Sequence, residues 1–592
     1  MRLIRRLPLL QWARGYGGAM LGADLLAAVI VTIMLIPQSL AYAMLANLPP
    51  EVGLYASILP LVAYAVFGTS RVLAVGPVAV VSLMTASAIG PVVQAGLADP
   101  LTAAVVLALL SGAMLAAAGI FRLGFLANFL SHPVMSGFIT ASGILIAAGQ
   151  VRHLLGVGGT GATLPEILPA LLGALPQTNP WTLAVGTGAL GFLYAARRWG
   201  RRGLVRAGLP AWLAEMLARA APILAVALAI ALAQALDLGA RGVALVGAIP
   251  QGLPRLALPG LSAELLMALA PAALLISVVG FVESVSVGQT LAARRRERIA
   301  PDQELIGLGA ANIAAGLSAG YPVTGGFARS AVNDDAGAQT PAAGIFTAIG
   351  IALAALFLTP LLADLPQAVL AATIILAVLS LVDFRAIRRV LDYSPRDFLA
   401  MAATILVTLL VGIEPGISAG VVLSLVMQLY RSSRPHSAVV GQVPGTEHFR
   451  NIDRHRVLVW PEILSLRVDE SLYFANSRFL EDRIAALVAQ NPRVRHVVLM
   501  CPAVNDIDAS ALESLEEINR RLAEGGVKLH LSEVKGPVMD RLHRSDFLRH
   551  LSGRVFLSQH EAICHLRREL GPDAAPAQEL GPACCRDGVS GG

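Results

Sequence analysis

Lysine is missing from the first 527 residues of this 592-residue chain and cysteine from the first 500, and charged residues are only 14% of the whole. Without cysteine in that stretch, no disulfide framework holds it together. Without lysine, the net charge of +6 rests there on arginines clustered in short loops, a pattern of membrane topology rather than of a nucleic-acid surface. The four cysteines, Cys501, Cys564, Cys584 and Cys585, come late, and the adjacent pair lacks the further ligands a metal site needs. No Walker-type phosphate loop, metal-ligand cluster, or nucleophile and base at interpretable spacing occurs. An enzyme, a resident cofactor and an ATP-driven pump are therefore not expected.

What the chain has is apolar length. Hydrophobic residues are 56% of it, mean hydropathy is +0.68, and the apolar blocks are nearly unbroken to about residue 435. A spanning helix needs roughly 20 apolar residues. Candidates fall at 22–46, 52–68, 101–121, 125–149, 180–196, 219–237, 265–292, 303–319, 341–363, 367–390, 396–412 and 415–433. Two interrupted segments, 74–90 and 320–337, bring the count to fourteen, twice seven, and an odd seven inserts the second half upside down. Pro77 and Pro322 differ by 245 positions, as do Gln38 and Glu283 midway along the first and eighth spans.

The fold class expected is a polytopic α-helical membrane protein, a 7+7 inverted repeat, followed by a small cytoplasmic α/β domain. The expected domains are an interfacial segment at 1–15, a transport domain at 16–435, a linker at 436–450, the α/β domain at 451–568 and a disordered tail at 569–592. Arginines such as Arg2, Arg5, Arg6, Arg14, Arg197, Arg198, Arg385 and Arg388 fall on one side, against Arg152, Arg241 and Arg255 on the other. That asymmetry puts both termini in the cytoplasm, and the membrane expected is the cell (inner) membrane, crossed many times.

The interruptions carry the chemistry. "AVGPVAVVSLM" (Ala74 to Met84) and "GYPVTGGFARS" (Gly320 to Ser330) each combine glycine and proline inside apolar sequence, so each is expected to be extended first and helical afterwards. The new helix starts leave unpaired N–H groups, tolerable in a bilayer only against protein or a watery cavity. Two such starts at mid-membrane aim their positive dipole ends at one spot, and Arg329 adds a guanidinium. An arginine at that depth requires an anion or a carboxylate, and Glu283 is the carboxylate at hand.

These residues resemble the sulfate permease (SulP) family. The resemblance rests on "AVIVTIMLIPQSLAYAMLANLPPEVGLYAS", on "LSHPVMSGFITASG" and on the block from "FVESVSVGQTLAARRRER" through "GYPVTGGFARSAVNDDAGAQT". The C-terminal domain is similar to the STAS domain that closes most members. The resemblance implies core and gate subdomains, a homodimer, and an anion held between the third and tenth segments. Here those helix starts are Val78, Ala79 and Val80 on one side and Phe327, Ala328 and Arg329 on the other, which agrees with the affinity of helix N-termini for oxyanions.

Gln38 and Tyr42 lie one turn apart on the first span, as orienting groups for the anion or as polar glue between helices. Glu283, costly when ionised in an apolar run, is the proton-coupling candidate or a fixed partner of Arg329. The family's sodium-coupled bicarbonate branch typically has Asp at the Glu283 position and no arginine in the tenth segment. Many sulfate-type members have Ser where Ala328 stands. Ser510, in "DIDASALESL", is a candidate phosphorylation site resembling that of anti-sigma-factor antagonists, or else Asp508 or Ser510 merely caps a helix.

The resulting reading is a secondary active transporter of a sulfate-like oxyanion or dicarboxylate, coupled to H+ and working by alternating access. An anion channel or an exchanger, bicarbonate/chloride included, is the alternative. A membrane-anchored scaffold acting on cytoplasmic partners through the STAS-like domain is a third.

Overall fold

A computed structural model describes residues 7–125, 131–158, 161–210, 214, 217, 220–254, 256, 260, 262–571 and 576–580. Arg2, Arg5, Arg6, Arg255, Cys584 and Cys585 lie outside the described residues. The chain forms two compact units, Met1–Ser424 and Leu425–Gly592.

In the first unit, a short helix α1 (Pro8–Ala13) precedes α2 (Gly18–Leu45), α3 (Pro50–Tyr55) and α4 (Leu59–Phe67). Strand β1 (Val75–Gly76) leads into α5 (Ala79–Gln94), then come α6 (Pro100–Ile120), α7 (His132–Leu155), α8 (Leu164–Ala174), α9 (Pro180–Ala195), α10 (Arg201–Arg206) and α11 (Ala221–Ala235). The second half repeats the plan with α12 (Ala263–Arg294), α13 (Pro301–Leu317), β2 (Thr324–Gly325), α14 (Phe327–Asp335), α15 (Ala342–Phe357), α16 (Gln367–Leu379), α17 (Phe384–Tyr393), α18 (Pro395–Leu410) and α19 (Ile413–Ser433). Among the described residues, seven helices are long and apolar enough to cross a bilayer. The remaining predicted segments form shorter helices, such as α9, α11 and α18.

Strands β1 and β2 pair antiparallel, Val75 opposite Gly325 and Gly76 opposite Thr324. Equivalent pieces of an inverted repeat meet this way across a two-fold axis. The shift between halves is not uniform, however. Helices α2 and α12 start 245 residues apart, but α5 and α14 start 248 apart. Pro77 therefore follows its strand while Pro322 precedes its own, and the two prolines are not equivalent, contrary to the sequence reading. The added residues precede α13, since α3 and α13, at Pro50 and Pro301, already start 251 apart.

Small residues set the packing. At Gly112 and Gly309, α6 and α13 approach backbone to backbone, since a Cβ on Gly309 would lie 2.6 Å from the Ala116 nitrogen. Helices α2, α4, α5, α6, α12, α13, α14 and α15 pack as one group, whereas α7 packs against α9, α16 and α18.

The second unit has a sheet of order β10-β5-β3-β6-β7-β8-β9, with β4 beside β3. Its strands are β3 (Ser437–Gln442), β4 (Phe449–Asn451), β5 (Val457–Val459), β6 (Ile463–Val468), β7 (His496–Met500), β8 (Lys528–Ser532), β9 (Val555–Phe556) and β10 (Ala577–Leu580). Strands β6 to β9 are parallel. Alternation sorts the side chains: Val497 and Leu499 enter the core under α20 (Ser477–Gln490) and α21 (Ala509–Glu524). Val498 and Met500 face the opposite core with Ile563 and Leu566 of the last helix, α24 (Gln559–Leu570), which follows α22 (Gly536–Leu542) and α23 (Phe547–His550).

Two boundaries are corrected. The expected linker 436–450 contains β3, which lies inside the sheet between β5 and β6. Its alternating Ala438 and Val440 are buried in the core, so this stretch is domain, not tether. The expected disordered tail is also partly structured: α24 runs to Leu570, and β10 pairs antiparallel with β5.

Two histidines are buried side by side in this sheet, His496 Nδ1 and His530 Nε2 being 3.1 Å apart. The Arg554 amide donates to His530 Nδ1 at 3.0 Å, so His530 carries its proton on Nε2 and donates it to His496. Burial, then the neighbouring His496, pushes His530 down from 6.5 to about 4. A folded value below the unfolded one means that protonation favours the unfolded state. Stability is therefore complete above pH 6.5 and declines between pH 6.5 and 4, by on the order of 2 kcal/mol. Melting of the C-terminal unit, followed by Trp460 fluorescence, should drop across that window, and His530→Gln should flatten the drop.

Candidate anion-binding site

The strand pair is pinned from both helical neighbours. Asn312 of α13 grips the main chain of Val323, its Oδ1 accepting from the amide and its Nδ2 donating to the carbonyl, each at 2.9 Å. Thr324 donates to the Gly280 carbonyl at 2.7 Å, and Ser284 accepts from the Gly325 amide at 2.8 Å, fixing β2 on α12. On the other strand, the Ala74 amide donates to Ser330 at 3.0 Å and Asn333 donates to the Val72 carbonyl at 3.0 Å. The half-helix α14 thus holds the approach to β1, and α12 holds β2.

Two helix starts follow directly. Val78 and Gly326 are extended N-caps with no capping side chain. The first helical bonds run from Ser82 to Val78 and from Ser330 to Gly326. The first-turn amides, Ala79 to Val81 and Phe327 to Arg329, therefore meet no acceptor among the described residues, and both helices begin with a positive end. This is the extended-then-helical pattern expected from the proline and glycine positions.

Arg329 is 3% exposed, and its Nη1 and Nη2 have no hydrogen-bond partner among the described residues. It lies across the strand pair: a Cβ on Gly76 would come within 2.6 Å of Nη1, and one on Gly326 within 3.3 Å of Nη2. Glycine at 76 is what admits the guanidinium. Tyr42, Tyr321 and Glu283 stand within electrostatic reach. Glu283 is half-buried and forms no ion pair with Arg329 among the described residues. The fixed salt bridge allowed by the sequence is thus not made in this conformation.

The other candidates take distinct places. Tyr42 is buried and packs in the cluster that contains Ala79. Gln38, four residues earlier on α2, is half-buried, as is Val78, whereas Val80 is buried. Phe327 and Ala328 are exposed at the α14 start. Ser510 belongs to the other unit; Asp508 caps α21 by accepting from the Ala511 amide at 2.9 Å, and Ser510 is left exposed in the first turn. Among the described residues no three His, Cys, Asp or Glu side chains gather as a metal set.

Tyr321 is a neighbour that sequence reasoning missed. It is fully buried and shares a 3.1 Å hydrogen bond with Ser82 in the first turn of α5. Its place beside Pro322, inside the interrupted segment, was the available signal. Asn312, an amide alone in "LGAANIAAGL", was another.

Comparison with known proteins matches these features. The profile of the "Sulfate permease family" matches residues 21–404, and that of the "STAS domain" matches residues 456–562. "Sulfate transporter 4.1, chloroplastic" of Arabidopsis thaliana is 35% identical over 572 residues, covering 94% of this chain and 82% of its own. "Probable sulfate transporter Rv1739c" of Mycobacterium tuberculosis is 32% identical, covering 94% of this chain and 97% of its own. Among solved structures, the murine Solute Carrier 26 family member A9 anion transporter in the inward-facing state shares the fold, with a TM-score of 0.84 at 22% identity, covering 95% of this chain and 94% of that one. The transmembrane domain of a cyanobacterial bicarbonate transporter, BicA, aligns at 0.59 and 22% identity, covering 68% of this chain and 98% of that one. With its uncapped pair of helix starts, its buried arginine and its C-terminal STAS domain, the chain belongs to the sulfate permease family of multi-pass membrane anion transporters.

Proposed function

We propose that this protein is a secondary active carrier that moves a sulfate-like oxyanion together with a proton by alternating access. It would sit in the inner membrane as a homodimer with both termini cytoplasmic. The observation that carries the reading is the Arg329 guanidinium, buried without a protein partner between two uncapped helix starts. A buried unpaired cation is costly, and an oxyanion with several acceptor oxygens answers both the fork and the amides. The relatives named as sulfate transporters support sulfate as the first substrate to test. The exposed STAS-domain face around Ser510 is available to cytoplasmic partners.

Glu283 is the proposed proton carrier. It stands near the guanidinium without being bound to it, so it is free to exchange a proton when the anion arrives. A gradient of one pH unit is worth about 1.4 kcal/mol per proton, which supports about tenfold accumulation. In proteoliposomes, the wild type should accumulate labelled sulfate on an imposed pH gradient. Glu283→Gln should lose that accumulation while sulfate-for-sulfate counterflow persists. Equal gradient-driven accumulation by both proteins would remove Glu283 from the coupling. A counterflow panel of sulfate, bicarbonate, chloride, succinate and fumarate tests the substrate class.

A further inference from the structure

A cavity of about 450 Å³ lies among α2, α5, α7 and α8 and does not include Arg329. Its volume falls in the range of ligand sites and leaves room for a small oxyanion with several waters. Its walls are of mixed character. The lining includes the polar Asn47, Gln94, Gln150 and Arg152, and also Glu166, whose carboxylate accepts from the Ala162 amide at 2.8 Å. The lining also includes the apolar Leu45, Leu83 and Ile146.

Leu45 and Leu83 stand one helical turn from the anion-binding site. Leu45 follows Tyr42 by three positions on α2, and Leu83 follows Ala79 by four on α5, so each shares a face with a site residue about 5–6 Å away along its helix. Tyr42, Leu45, Ala79 and Ile146 pack in one apolar cluster, with Leu83 against it. An apolar constriction of this kind excludes water and hence ions. It is also built across two bodies, Leu45 and Leu83 from the group that carries the site, Ile146 from α7.

We infer that this cavity is the vestibule through which the anion enters from the face opposite the arginine-rich loops, and that Leu45, Leu83 and Ile146 form the barrier closing it. The inference rests on the proposed anion carriage and orientation. Truncating the barrier turns a closed carrier into a leak, because the anion then reaches the helix starts without movement of one body against the other.

The membrane unit has no cysteine, so introduced ones can be read peptide by peptide in the full-length protein. Ser87, exposed in the cavity wall, and Ala328, exposed at the α14 start, are the probe positions. With a membrane-impermeant thiol reagent added outside cells, Ser87→Cys should react fast and Ala328→Cys at least about tenfold more slowly, only as the carrier passes through its outward-open state. Adding Leu83→Ala, or in a second variant Ile146→Ala, should bring Ala328→Cys labelling up to the Ser87→Cys rate and raise passive sulfate or chloride flux by about tenfold or more. Labelling of Ala328→Cys as fast as that of Ser87→Cys with the barrier intact would overturn the proposal. So would an unchanged labelling rate and unchanged flux in both truncated variants, or failure of Ser87→Cys to react. If the protein carries no anion at all, flux stays flat while the change in labelling still appears, which separates failure of the transport reading from failure of this one.

Discussion

Arg329→Gln is expected to abolish sulfate transport, lowering uptake about 100-fold or more, because removing one partner of a desolvated charge pair costs about 3 kcal/mol or more. Its effect on the folded protein should run the other way. The guanidinium is buried without a hydrogen-bond partner at either terminal nitrogen among the described residues, so it strains the anion-free state. In anion-free detergent solution the variant should melt at or above the wild-type temperature. Addition of sulfate should raise the melting temperature of the wild type only. An arginine that merely holds the structure together predicts the opposite, a variant that melts early with or without anion. Arg329→Lys should recover only part of the uptake, since an ammonium supplies a point charge without the planar fork. Gly76→Ala should resemble the glutamine variant in transport, because its methyl group would occupy the space of Nη1.

Glu304→Ala is expected to have the largest effect on folding. Glu304 is fully buried in the first turn of α13. It accepts from the Tyr64 hydroxyl at 2.7 Å, the Thr69 amide at 2.8 Å and the Ser70 amide at 3.0 Å, and also from the Thr69 hydroxyl. Its negative charge also suits the positive end of the helix. Alanine leaves a buried phenol and two amides without an acceptor, a loss of about 3–5 kcal/mol. Glu304→Gln keeps the shape and should lose less. Thermal melting of purified protein, with yield from membranes as a second readout, checks both variants.

The contrast between these two residues explains what the sequence made legible. Arg329 stands out because a lone charge in an apolar run has few explanations, and the neighbouring glycines and proline announce the interrupted helix in place. Glu304 looks ordinary, in the first turn of a helix after Pro301. Its donors lie about 235 residues earlier, and no local pattern announces them. Tyr321 was missed for the same reason, since its bond to Ser82 exists only once the two interrupted segments meet, whereas Asn312 acts only eleven residues away, on Val323. The equal spacing of Pro77 and Pro322 misled in detail, because a repeat tolerates added residues between its fixed points. Strand β3 was read as a linker because its flanks are rich in arginine, serine and proline. Its own alternation is only six residues long, too short to outweigh them.

The glycine contact between α6 and α13 joins a helix from the first half of the chain to one from the second. The two repeats are therefore not separate packing units. Each packing group draws helices from both repeats, and under the alternating access proposed above the chain would cross between groups at the connections α6 to α7, α11 to α12 and α15 to α16. Stiffening those joints, rather than the middle of the chain where the repeats meet, is where turnover would slow.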